Sequence, residues 1–178
     1  MKESQDYIIE HIRKTLKEDQ EDTDRFVDMI VSAPKIFIYG VGRSGLIAKA
    51  FAIRLVQMGL HVFFVGETVT PIVEEKDLVI IVSHTGDTMS CVQTANIVRR
   101  VGADVISITS NDHSKLAAAS TLVISIKPKK DEERKRLAPL GTLFEDATMI
   151  YLDSIVAQVM KSLGQSEGSM RKRHAIWV

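Results

Sequence analysis

The 178-residue sequence holds one cysteine, four prolines and one tryptophan, and aromatic residues make up only 6% of it. A single cysteine, Cys91, excludes an internal disulfide, and with no second cysteine or His-rich cluster beside it a structural zinc site does not fit. It reads as a buried structural thiol. Net charge is missing as well, since 23 Lys and Arg balance 23 Asp and Glu. With no overall field to draw in a polyanion or an acidic membrane surface, neither nucleic acid nor membrane is an expected partner, and any phosphate site must be local. Long apolar runs are absent. The opening stretch "MKESQDYIIEHIRK" interleaves charges with its apolar residues, so it reads as neither a signal peptide nor a membrane span, and a cytoplasmic location is expected. There is no repeat of 20 to 50 residues and no low-complexity tract.

What is present is a chain 45% hydrophobic and long enough for one domain spanning 1–178. Ile8, Ile9, Ile12 and Leu16, then Phe26, Met29 and Ile30, recur at helical spacing, with "QEDTD" breaking the run, so segment 3–32 reads as two helices or one kinked helix. From Lys35 the grain changes to β-rich runs: "KIFIY", "HVFFV", "DLVIIV", "DVISIT" and "TLVISI". Helical patterns fill 44–58 and 88–100, the second ending at Gly102 as a C′ glycine. Strands alternating with helices predict an α/β fold: a three-layer αβα, doubly wound, flavodoxin-like arrangement around a five-stranded parallel sheet. The segment "KPKKDEERKR" (127–136) reads as a solvated loop. After Pro139 a long C-terminal helix carries Leu143, Phe144, Ala147, Met149, Ile150, Leu152, Ile155, Val156 and Val159 on nearly every side. Such a helix is central to a core or buried between subunits; in a domain this small the second is favoured, so a homo-oligomer is expected. Residues 164–178 form a tail.

In an open parallel sheet ligands sit at the carboxyl ends of strands, where loops meet helix N-termini. The first such end is "GVGRSG": Gly40, Gly42 and Gly45 let backbone approach an anion, and Ser44 adds a hydroxyl donor. Its spacing matches the dinucleotide fingerprint, and Glu67 nearly meets the requirement for an acid about 20 residues on, so this motif alone does not distinguish a dinucleotide from a smaller phosphate. The third strand ends in Ser83, His84, Thr85, Gly86, Asp87 and Thr88. One hydroxyl there would be a helix N-cap; three around a glycine, parallel to the first loop, favour an anion site.

The runs "IYGVGRSGLIAKAFAIRLVQMGLHVFFVGETVTP", "SHTGDT" and "PLGTLFED" resemble the sugar-isomerase (SIS) domain and, within it, the 6-phospho-3-hexuloisomerases, from about residue 5 to the C-terminus. The resemblance implies a five-stranded parallel sheet, a tetramer, no metal and no cofactor. It also implies interconversion of D-arabino-hex-3-ulose 6-phosphate and D-fructose 6-phosphate. Carried over by position, Gly42, Ser44, Ser83, His84, Thr85, Gly86, Asp87 and Thr88 would hold the sugar phosphate, and Glu145 would be the base. That chemistry needs a group to take the C2 proton, pass through a 2,3-enediol and return a proton at C3, and one carboxylate in reach of both carbons serves. Without the resemblance, Glu145 would equally be a favourable charge in a first helical turn. Donors for the enediolate oxygens would come from Arg43, Lys49, His61 or His174. His174, in the tail "MRKRHAIWV", is a second catalytic candidate, reaching a neighbouring subunit's site, against the alternative of a frayed terminus. His113 and His61 read as structural. The chain departs from the family's usual Ser-Gly-Ser-Gly-Glu/Arg-Thr loop by carrying His84 and Thr85, and its tail ends in the apolar "AIWV". Other readings are an SIS isomerase of different specificity and a non-catalytic phosphosugar sensor, which would need no carboxylate over C2.

Overall fold

The computed structural model describes residues 1–16, 22–129 and 131–176. Residues 20 and 21 of the "QEDTD" break, Lys130 of the charged run and the last two residues of the tail lie outside the described residues. Two helices, α1 (Lys2–Thr15) and α2 (Thr23–Ser32), precede the first strand, β1 (Ile36–Gly40). There follow α3 (Gly42–Gln57), β2 (Val62–Phe64), β3 (Leu78–Val82), α4 (Met89–Val101) and β4 (Asp104–Thr109). Then come α5 (Lys115–Ala118), β5 (Leu122–Ser125), α6 (Arg134–Leu137), α7 (Thr142–Ser162) and α8 (Glu167–Lys172). The strands form one parallel sheet in the order β2-β1-β3-β4-β5.

Alternation along each strand divides the apolar residues between two faces. Ile36, Ile38, Leu78, Ile80, Val82, Ile106 and Ile108 pack with Phe26 and Ile30 of α2, Phe51 and Leu55 of α3, and Phe144 and Ile155 of α7. Phe37, Val79, Ile81 and Val105 face the other way, under Cys91, Ala95 and Val98 of α4 and Leu116 of α5. Cys91 is buried, and that burial pushes its thiol up, as suits an inert core residue. The left-handed Gly102 (φ 89°) closes α4 with its N–H on Arg99 O, the role its position predicts. Among the described residues no helix is long and apolar enough to cross a membrane.

Two expectations change. The apolar residues of α7 were assigned to a subunit interface, yet Phe144, Ala147, Tyr151, Leu152, Ile155 and Val159 belong to the core of their own chain, because α1 and α2 wrap the side of α7 that the sheet and α3 leave open. Only Ile150 stays largely exposed. The charged run is exposed but not simply solvated: it is tied to α1. Tyr7 Oη donates to Asp131 Oδ1 (2.6 Å), His11 Nε2 faces Asp131 Oδ2 (3.0 Å), Ser4 Oγ donates to Leu137 O (2.6 Å), and Arg136 pairs with Glu3 (2.6 Å). The hydrogen bond from Tyr7 is the main cause holding the Asp131 carboxyl below its ordinary range. Its contribution is therefore present above the ordinary aspartate range and is lost as pH falls through the lowered value.

Candidate functional site

Gly40 of β1 lies opposite Val82 of β3, so the loops that leave these two strands start side by side. The chain runs outward from β1 to β2 and in the other direction from β3 to β4, which makes this the point where the winding reverses and a crevice opens.

On the β1 side, a Cβ on Gly45 would fall 2.5 Å from Gly40 O, so the strand and the start of α3 touch backbone to backbone. Gly42, at φ +59°, has open space above it. Gly45 N–H bonds back to Val41 O (3.3 Å), and no side chain caps α3, so the N–H groups of Gly42, Arg43 and Ser44 face the crevice mouth beside the buried Ser44. On the β3 side, Ser83 N–H still bonds to Ile108 O (3.0 Å), after which the loop turns at Gly86 (φ +68°), where a Cβ would collide with Ser114 Oγ. Ser83 Oγ reaches Thr88 Oγ1 (3.4 Å), and the first turn of α4 carries no side-chain cap. The Asp87 carboxylate accepts Lys115 N–H (3.3 Å) and ties the loop to α5, and its charge would repel a phosphate.

Glu145 lies in the first turn of α7, 8% exposed, and its Oε2 accepts a 2.5 Å hydrogen bond from Arg43 Nε. The other oxygen, Oε1, borders Gly141, where an added Cβ would lie 2.8 Å from it and 3.5 Å from His84 Nδ1. His84 stacks on Phe144, ring centroids 4.7 Å apart, and lines a cleft of about 320 Å³ with Ser110, Lys127, Arg134, Leu140 and Leu143. Asp146 follows on the same turn; burial raises its carboxyl, and Arg43 nearby opposes that shift. Among the described residues no group of three or more His, Cys, Asp or Glu side chains sits as a metal cluster.

The fold thus brings Ser44, the Ser83–Thr88 loop and Glu145 to one end of the sheet. His174 is not there. It lines a groove of about 560 Å³ with Lys49, Ile53, Val56, Phe64 and Arg173, along the C-terminal half of α3, while Arg43 sits at the other end of that helix, roughly 20 Å away at 1.5 Å per residue. Lys49 is in the same groove, paired with Glu67 (3.3 Å), and His61 is exposed at the start of β2, so neither Lys49 nor His61 serves Glu145 within the chain. Sequence reasoning passed over Gly141, although its place four residues before Glu145 puts both on one helical face.

The SIS-domain family profile matches residues 29–152, a stretch that holds both loops and Glu145. The chain belongs to the SIS-domain family. A 3-hexulose-6-phosphate isomerase of Methanocaldococcus jannaschii is 38% identical over 151 residues, 85% of this chain and 81% of that protein. One of Bacillus subtilis is 36% identical over 87% of this SIS chain and 86% of its own length. A crystal structure from Methanococcus jannaschii, for which the function of 3-hexulose-6-phosphate isomerase was inferred, superposes with a TM-score of 0.85 at 35% identity, covering 97% of this chain and 96% of that one.

Proposed function

We propose that this SIS chain is a phosphosugar isomerase that interconverts D-arabino-hex-3-ulose 6-phosphate and D-fructose 6-phosphate. The observation that carries the reading is the Glu145 carboxylate, buried, held through one oxygen by Arg43, and placed beside two hydroxyl-bearing anion loops. The relatives named for this reaction support it. The phosphate would lie between the N-termini of α3 and α4, gripped by Ser44, Ser83, Thr85 and Thr88 and by the N–H groups around Gly42. With Oε2 occupied by Arg43, Oε1 takes the C2 proton and returns it at C3. Arg43, two-thirds exposed, also offers N–H groups to the enediolate oxygens. The reading includes a homo-oligomer, for which the exposed apolar stripe of Leu46, Ile53 and Val56 on α3 is a ready surface.

The test is turnover. Incubated with 3-hexulose 6-phosphate, the protein should generate fructose 6-phosphate, followed through a coupled dehydrogenase. Thermal stabilisation by sugar phosphates with no turnover would instead make the chain a sensor.

A second expectation concerns Gly141, whose φ of −89° any residue accepts; its glycine serves space, not backbone. Gly141 is the N-cap of α7, where alanine serves less well, so Gly141→Ala should fold with a slightly lowered melting temperature. The new methyl must push the Glu145 carboxylate aside, and kcat should fall by about 100-fold. Steady-state kinetics beside a melting curve separates the two effects; an active Gly141→Ala would mean that Oε1 is not the working oxygen.

A further inference from the structure

We infer that His84 is the second acid–base group of this site, moving the oxygen-bound proton of the reaction while Glu145 moves the carbon-bound one. The inference rests on the isomerase reading above. Shifting a carbonyl from C3 to C2 relocates two protons, one from C2 to C3 and one from O2 to O3. A carboxylate that holds the carbon proton through the enediol is occupied at the moment the oxygens exchange theirs.

The geometry singles out His84 for the second transfer. Its Nδ1 borders the same small space beside Gly141 as Glu145 Oε1. Both ends of the residue are fixed. The carbonyl accepts from Ser110 N–H (3.0 Å), Ser110 Oγ (2.9 Å) and Thr109 Oγ1 (3.1 Å), and the ring lies on Phe144 with planes 20° apart. That stack holds the imidazole against the start of α7. The charged groups around it are Arg43, which is bound to Glu145, Lys127, which is paired with Asp112 (2.5 Å), and Arg134, which donates to Leu140 O (2.6 Å). Asp146 adds a carboxyl on the α7 side. Histidine is the side-chain type that both gives and takes a proton in the physiological range.

The step balances without an outside reactant. Glu145 takes the proton from C2 as the C2–C3 double bond forms; the carbonyl pair moves onto O3, which takes a proton from protonated His84. In the second half O2–H returns a proton to His84 as the C2 carbonyl forms, and Glu145 delivers its proton to C3. Enzyme groups end as they began.

The experiment compares wild type, His84→Gln and His84→Phe in steady-state kinetics with 3-hexulose 6-phosphate, and in thermal shift with fructose 6-phosphate. In both variants kcat should fall by about 100-fold with KM within about twofold and the thermal shift retained. His84→Phe keeps a ring on Phe144, so a kcat near wild type in that variant would reduce His84 to packing and overturn the inference. A raised KM with kcat intact in both would make it a substrate contact, and loss of the thermal shift would make it structural; either overturns it too. If wild type itself gives no turnover, the isomerase reading falls first and this inference with it.

Discussion

Glu145→Gln should lower kcat by about a thousandfold, the largest effect on activity that a single side chain here can produce. The amide keeps the shape of the carboxylate and a hydrogen-bond acceptor for Arg43, but it cannot take a proton from carbon. Deuterium wash-in at C3 of fructose 6-phosphate in D2O should disappear with the rate, while the thermal shift given by fructose 6-phosphate stays, because the loops proposed to hold the phosphate lead into α3 and α4 and not into α7. Stability should hardly change. Glu145 is buried and becomes neutral, and Arg43, two-thirds exposed, is left to water, so no charge is stranded in the interior. A Glu145→Gln protein that keeps most of its rate would move the base elsewhere. Asp146, the neighbouring carboxyl already raised by burial, would be next in line.

Gly45→Ala should produce the largest loss of stability, about 3 kcal/mol, or a melting temperature lower by roughly 10 °C. Its Cβ would lie 2.5 Å from Gly40 O and 2.8 Å from Gly40 C, and backbone cannot swing aside as a side-chain tip can. Strand and helix must separate, and Arg43 and Ser44 travel with the helix, so KM for the phosphosugar should rise in whatever fraction folds. Gly42→Ala is the control: nothing lies near its Cβ, and its cost is the 1–2 kcal/mol or so of a left-handed backbone. A Gly45→Ala melting temperature equal to wild type would show that the close approach at Gly45 carries no energetic weight.

Much of the fold was legible because its signals are local. The run "DLVIIV" became β3 with every residue buried, and "GVGRSG" and "SHTGDT" fell at adjacent strand ends as parallel-sheet rules require. The run "HVFFV" became β2 (Val62–Phe64), at the sheet edge, with His61 O and Val65 N–H also bonded to β1. The short helices α5, α6 and α8 span about a turn or two, too little for apolar spacing to register. The burial of α7 was not readable, because a helix apolar all round looks the same whether its own chain or another covers it. Nor was the partnership at Gly141. His84 sits in sequence among the hydroxyl residues of its loop, and only the fold brings its ring onto Phe144, 60 positions later, and beside Glu145.

The contacts between α1 and the charged segment also bear on the order in which the chain is assembled. Ser4, Tyr7 and His11 find partners more than 100 residues later, at Leu137 and Asp131. Helix α1 therefore has nowhere to dock until the sheet is complete and α6 and α7 have emerged. During synthesis its apolar face, with Ile8 and Ile12, waits in solvent, and closing so long a loop comes late and slowly. Made more than 100 residues before its partners, α1 is among the last parts to be placed.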